Sequence, residues 1–155
     1  MASVPSGSRI PLGRTLYARA VLADTGALLA LADNGDSHSV DAVTCIQSIA
    51  RHNLPFFISI PTIYESHRRL LFDLGHSAAT RFLESIYDGS INILRTIDED
   101  EQEARRILAR YQALNLTQTD AVNMALMIRF GIATVFSFDR AYPAAGFIRI
   151  PPFHL

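Results

Sequence analysis

From Leu16 onward, short apolar runs alternate with longer stretches whose apolar residues recur every three or four positions, so the chain reads as strands and helices in succession. The pattern predicts a strand over 17–23 that passes at Asp24 into a short helix ending at Ala32, with Asn34-Gly35-Asp36 as a turn. A helix over 37–51 follows, then an apolar strand over 55–60 that stops at Pro61, a residue suited to the first turn of a helix running to Phe72. Further helices are predicted over 76–87, 98–113 and 117–130, the last ended by Gly131, and further strands over 91–94, 133–138 and 147–150. Strands that alternate with helices imply an α/β fold with a largely parallel sheet.

Composition narrows this picture. At 155 residues with 49% hydrophobic and 19% charged content, the chain can bury one core, and a single domain over 16–155 is expected. Residues 1–15, rich in Ser, Pro, Gly and Arg without periodicity, read as a flexible leader. One cysteine, Cys45, makes no intrachain disulfide and no cysteine metal cluster, which suits a reducing interior and makes the cytoplasm the expected compartment. Asp24 interrupts the apolar stretch after Leu16, and no run approaches the roughly 18 to 20 apolar residues of a membrane span, so a soluble protein without a signal peptide is expected. A formal charge of −1 provides no global basic field, so any nucleic-acid contact has to be local.

The chemistry-bearing residues are acids. Asp24 and Asp139 directly follow predicted strands, and ligands of open parallel sheets bind beyond the carboxyl ends of strands. Glu65 and Asp120 fall in the first turns of helices that begin near the same edge, so all four acids can converge. Four neighbouring carboxylates require a compensating cation, and an oxygen-only donor set favours Mg²⁺ or Mn²⁺ over zinc. Each acid also has an ordinary explanation. Thr62 to Glu65 and Thr117 to Asp120 have the spacing of capping boxes, and Asp24 and Asp139 could be plain cap or turn residues.

The local sequence around the four acids resembles PIN-domain ribonucleases, in the right order over most of the chain. Val21-Leu22-Ala23-Asp24-Thr25-Gly26-Ala27-Leu28 looks like that family's opening strand, first metal-binding Asp and adjoining hydroxyl. Pro61-Thr62-Ile63-Tyr64-Glu65 resembles its Glu-bearing helix, Leu116-Thr117-Gln118-Thr119-Asp120-Ala121 its third-acid element, and Ser137-Phe138-Asp139 its closing Thr/Ser-x-Asp element. The resemblance implies a three-layer α/β/α sandwich with a mainly parallel sheet of four to five strands. It further implies a Mg²⁺- or Mn²⁺-dependent endoribonuclease with Asp24, Glu65, Asp120 and Asp139 as catalytic and metal-binding residues, supported by Thr25, Thr119 and Ser137. Compact length makes VapC-type toxins the most similar subfamily, which implies an RNA substrate, an antitoxin partner and a homodimer. The alternatives are an RNA-processing enzyme of the same fold without an antitoxin, or a non-catalytic binding module. The leader is longer than such toxins usually carry, and Gly26 stands where a small or hydroxyl residue is common.

Among secondary features, Arg68, Arg69 and Arg140 are the candidate contacts to RNA backbone, and Tyr64 and Tyr142 the candidate stacking surfaces for a base. The five histidines, His38, His52, His67, His76 and His154, are scattered and read as surface residues. The helix faces around Leu70-Leu71 and Phe82-Leu83 are the candidate self-association surfaces. Phosphoryl-aspartate chemistry is disfavoured because all 14 basic residues are arginine, and that chemistry usually relies on a lysine.

Overall fold

The order of elements is β1 (Val21–Ala23), α1 (Thr25–Ala32), α2 (Ser39–Arg51), β2 (Phe56–Ser59), α3 (Ile60–Leu74), α4 (His76–Tyr87), β3 (Asn92–Leu94), α5 (Asp98–Arg110), α6 (Gln118–Phe130), β4 (Thr134–Phe136), α7 (Ala141–Ala144) and β5 (Ile148–Ile150). A short 3₁₀ turn, Gln112–Leu114, lies between α5 and α6. The computed structural model describes residues 17–89 and 91–152; the leader expected over 1–15 and His154 lie outside them.

Five strands form one sheet of order β3-β2-β1-β4-β5, and every pairing is parallel. Alternate residues of each strand face opposite sides, and both sides are covered by helices, as a parallel sheet requires. Leu22, Phe57 and Val135 pack with Ala104 and Ile107 of α5, residues from Ala121 to Met127 of α6, and Tyr142. Val21, Ala23, Ile58 and Phe136 pack on the other side with α1, α2, α3 and α4, through residues such as Leu28, Ile49, Ile63, Leu70 and Phe82. The result is the expected three-layer α/β/α sandwich, with α6 buried along most of its length between the sheet and α5.

Several boundaries differ from the sequence pattern. The first strand begins only at Val21, because Tyr17 and Ala18 form a helical turn whose Tyr17 ring rests on Phe57 and Phe130, with centroids 5.7 and 5.2 Å away. The fourth strand ends at Phe136, where Ser137 begins the turn that carries Asp139, and the short helix α7 was not apparent in the sequence. Gly131 adopts φ 69°, and the following N–H of Ile132 returns to the Met127 carbonyl at 2.9 Å, which closes α6 by the left-handed cap expected of that glycine. Leu70 and Phe82 are 1% and 8% exposed, so these two residues belong to the core and do not form the self-association face expected of them. Among the described residues, no helix is long and apolar enough to cross a membrane.

Candidate active site

The parallel sheet directs the carboxyl ends of β1, β2 and β4 to one edge, and helices start there. Asp24 follows β1 directly and is the N-cap of α1, with its Oδ1 accepting from the Ala27 N–H at 2.9 Å. Its Oδ2 accepts the Ser137 hydroxyl at 2.5 Å. Ser137 Oγ in turn accepts the backbone N–H of Asp139 at 2.9 Å, so one buried hydroxyl ties the carboxylate after β1 to the turn after β4. Asp139 Oδ1 accepts the Ala141 N–H at 2.8 Å, which fixes that carboxylate at the start of α7.

Asp120 sits in the first turn of α6. Its Oδ2 accepts from the Thr117 N–H at 2.8 Å while Thr117 Oγ1 accepts from the Asp120 N–H at 3.1 Å, a complete capping box. The cap and the site candidate are therefore the same residue. Glu65 differs. The expected box from Thr62 to Glu65 is absent, because the N-cap of α3 is Ser59, whose Oγ accepts from the Thr62 N–H at 3.3 Å. Glu65 has no duty at the helix end, and its half-buried carboxylate is near enough for its charge to act on Asp120.

The charges of the four acids are coupled in series, Asp24 to Asp120 and Asp139, and Asp120 to Asp139 and Glu65. Burial pushes the Asp24 carboxyl up from 3.8 to about 7; hydrogen bonds from Ser137 and Ala27 oppose the rise, and the charges of Asp120 and Asp139 add to it. Asp120 is also raised, mainly by burial, with Asp139 and Glu65 adding to it against the Thr117 hydrogen bonds. The phenol of Tyr142 is fully buried and held well above its ordinary value by burial and by the charges of Asp24 and Asp120, then Asp139. Tyr142 is thus beneath the crevice and presents no stacking surface to a base, whereas Tyr64, 66% exposed, does.

Among the described residues, no three acidic, histidine or cysteine side chains stand close enough together to hold a metal ion between them. An open arrangement of this kind still suits Mg²⁺, which keeps several waters and takes only one or two protein carboxylates. The donors are all oxygens, two of the acids resist ionisation, and the buried Thr25 Oγ1 beside Asp24 has no hydrogen-bond partner among the described residues. These three observations fit a hard divalent cation.

Beside Asp120, Pro61, Thr96, Glu101, Gln118, Thr119 and Val122 line a cavity of about 160 Å³. Arg69 is paired with Asp73 at 3.4 Å, both largely exposed, and Arg68 lies 5.5 Å from the centre of the Phe72 ring. Arg149, on β5 and 9% exposed, was missed at the sequence level. Burial and the charge of Arg140 lower its pKa while the charges of Asp139 and Asp24 raise it, so its guanidinium lies within electrostatic reach of two of the acids. Its only sequence signal is a charge inside the apolar run Phe147-Ile148-Arg149-Ile150.

An all-parallel α/β sandwich with carboxylates gathered at the carboxyl edge of its sheet defines a recognised class of domain. The chain belongs to the PIN domain family, whose profile matches residues 21–148. Among solved structures it is similar to VapC20 of Mycobacterium tuberculosis, described as a toxin that cleaves the sarcin-ricin loop, with TM-score 0.76, 24% identity and coverage of 86% of this chain and 100% of that one. PAE2754 of Pyrobaculum aerophilum gives TM-score 0.59 and 26% identity over 86% of this chain and 90% of that one. No curated protein matches the chain.

Proposed function

We propose that the protein is a divalent-metal-dependent endoribonuclease acting as the toxin of a toxin–antitoxin pair. The observation that carries this reading is the coupling of Asp24, Glu65, Asp120 and Asp139 in one crevice, with the Ser137 hydroxyl linking Asp24 to the Asp139 turn. The similar VapC20 is described as an RNA-cleaving toxin, which supports the same substrate class and an antitoxin partner here.

In this reading the four carboxylates together would form the site for Mg²⁺ or Mn²⁺, binding the ion directly or through its waters, with Thr25 and Thr119 as supporting hydroxyls. The bound ion supplies a polarised phosphate, a water of lowered pKa and charge for the departing oxygen. The chain itself fixes the geometry. Ser137 orients Asp24, the Thr117 cap orients Asp120, and the turn into α7 orients Asp139. Arg68, Arg69 and Arg140 provide cations for the RNA backbone, while Tyr64 and the cavity beside Asp120 provide room for an unpaired base. An antitoxin fits best as a segment that offers an arginine to the carboxylates, and the toxin itself as a homodimer.

The direct test is an RNA hairpin carrying a sarcin-ricin loop, incubated with purified protein in Mg²⁺ or Mn²⁺ and in EDTA. Cleavage is expected with either ion, lost in EDTA and restored by excess metal; products that persist in EDTA would rule out the metal mechanism.

The same site predicts a pH dependence. Asp24 has a raised folded pKa, so the metal-free native state binds a proton that the unfolded chain has released. Its favourable contribution is fully present below about pH 4 and is lost as pH rises through about 7. In metal-free buffer this group should therefore make unfolding easier with rising pH across that window, and millimolar Mn²⁺ should reverse the trend above pH 7. Denaturant melts at several pH values, compared with Asp24→Asn, isolate the effect; a wild-type minus variant difference that is flat with pH would refute it.

A further inference from the structure

Glu65 and Asp120 are carried by different helices, and a buried chain of polar side chains joins those helices below the crevice. Asn123, one turn after Asp120 on α6, donates from Nδ2 to Thr62 Oγ1 at 2.9 Å and to the Tyr142 hydroxyl at 3.4 Å. Its Oδ1 accepts the Ser59 hydroxyl at 2.5 Å. Thr62 lies one turn before Glu65 on α3, and Ser59 caps that helix. Ser59, Thr62, Asn123 and Tyr142 are all 0% exposed.

Stability alone gives little reason for polar groups at these positions. Ile63, Ala121, Met124 and Phe136, also 0% exposed, show that apolar side chains fill the surrounding space. Replacing every partner of a buried hydrogen-bond set by apolar groups of similar shape is often nearly neutral. What hydrogen bonds add is direction: Asn123 uses both amide hydrogens and its carbonyl oxygen, and each partner sits on a different element or turn. The helices can slide only by breaking buried bonds, which is costly.

We propose that the Ser59, Thr62, Asn123 and Tyr142 network is a positioning device that sets the separation of Glu65 and Asp120 across the crevice, and so its competence for a divalent cation. The inference rests on the function proposed above. The first walls of the neighbouring cavity follow the same tie, since Pro61 precedes Thr62 and Val122 precedes Asn123. These residues act through Glu65 and Asp120 and touch neither metal nor RNA.

The test is a combined S59A, T62V, N123L and Y142F protein, which replaces every member of the network by an apolar group of similar shape. Three quantities are read: thermal midpoint, Mn²⁺ affinity by paramagnetic resonance titration, and RNA cleavage. The expected result is a folded protein melting within a few degrees of wild type whose Mn²⁺ affinity and cleavage both fall by about 10- to 100-fold, the usual effect of losing groups that orient metal ligands. A merely structural role would move the melt and leave the Mn²⁺ affinity of the folded protein unchanged. Affinity and cleavage within about twofold of wild type would overturn the proposal. Should the combined variant not fold, Thr62→Val alone, which keeps the shape and removes one hydroxyl, is expected to weaken Mn²⁺ binding several-fold, and wild-type binding by it is equally decisive against the proposal. If wild-type protein itself neither binds Mn²⁺ nor cleaves RNA, the proposed function falls and this inference with it; an active wild type beside an equally active combined variant removes the inference alone.

Discussion

Asp24→Asn is expected to abolish RNA cleavage and, in the same protein, to raise the melting temperature of the metal-free form. Loss of activity follows from removing the most buried carboxylate of the crevice. Groups that only orient metal ligands cost about 10- to 100-fold when changed, and loss of a ligand charge should exceed that. The gain in stability follows from the pKa. A rise from 3.8 to about 7 corresponds to a cost on the order of 4 kcal/mol once the group is fully ionised in the folded state, taken as an upper figure. Asparagine carries no charge, and its carbonyl can still accept the Ala27 N–H. Recovery of only about 1 kcal/mol moves the midpoint up by about 2 to 4 °C in a domain of this size. Melts at pH 8 in chelator, with cleavage assays alongside, check both halves. An inactive variant that melts below wild type would show that Asp24 is a structural acid. Asp120→Asn provides the contrast: its amide oxygen can preserve the cap at Thr117, so the same loss of cleavage is expected with little change in stability.

The largest purely structural effect is expected at Arg129. Its guanidinium donates to Asp100 from Nε at 2.7 Å and from Nη2 at 2.8 Å, and Nη2 also reaches the Arg95 carbonyl at 3.1 Å. Asp100 is 2% exposed and additionally accepts the Ile97 N–H at 2.9 Å, so it caps α5 while pairing with α6. Arg129 keeps 31% of its side chain exposed, so solvent screens the pair, and removing it leaves the buried Asp100 carboxylate without its partner at a cost of about 2 to 3 kcal/mol, below that of a fully buried pair. Arg129→Ala should accordingly lower the melting temperature by about 4 to 12 °C. Because the pair lies toward the opposite end of α6 from Asp120, metal affinity measured well below the melt should stay within about twofold of wild type, against the 10- to 100-fold losses expected around the carboxylates. A midpoint within a degree of wild type would show that the pair contributes nothing net.

The elements legible in the sequence were those whose ends carry chemical signals. Gly131 marked the end of α6, Pro61 the start of α3, and Asp24 the passage from strand to helix, and each occurs where its backbone preference requires. Asp120 was legible for the same reason, since the capping box and the family element coincide there. Where two signals competed, pattern failed. Thr62 to Glu65 has capping spacing, but Ser59 two residues before Pro61 takes the cap, and this frees Glu65 for the crevice. Tyr142 misled because an amphipathic ring reads alike whether its face meets solvent or a core, and contacts from distant segments decide. The Asn123 network and the Asp100 to Arg129 pair were not legible because their partners are far apart in sequence. Asn123 did leave one trace, a lone amide within the apolar run from Ala121 to Met127.

The sheet order has a consequence for synthesis. Asp24 and Asp139 are neighbours across β1 and β4 although most of the chain separates them, and the Ser137 N–H is held by the Ile150 carbonyl of β5 at 3.0 Å. A nascent chain that has left the ribosome only as far as α6 contains three of the four carboxylates but neither the hydroxyl that orients Asp24 nor the strand that fixes that hydroxyl. The crevice is therefore the last part of the fold to be completed as the chain is made, because its final carboxylate and the strand that braces the Ser137 turn are both supplied by residues after α6.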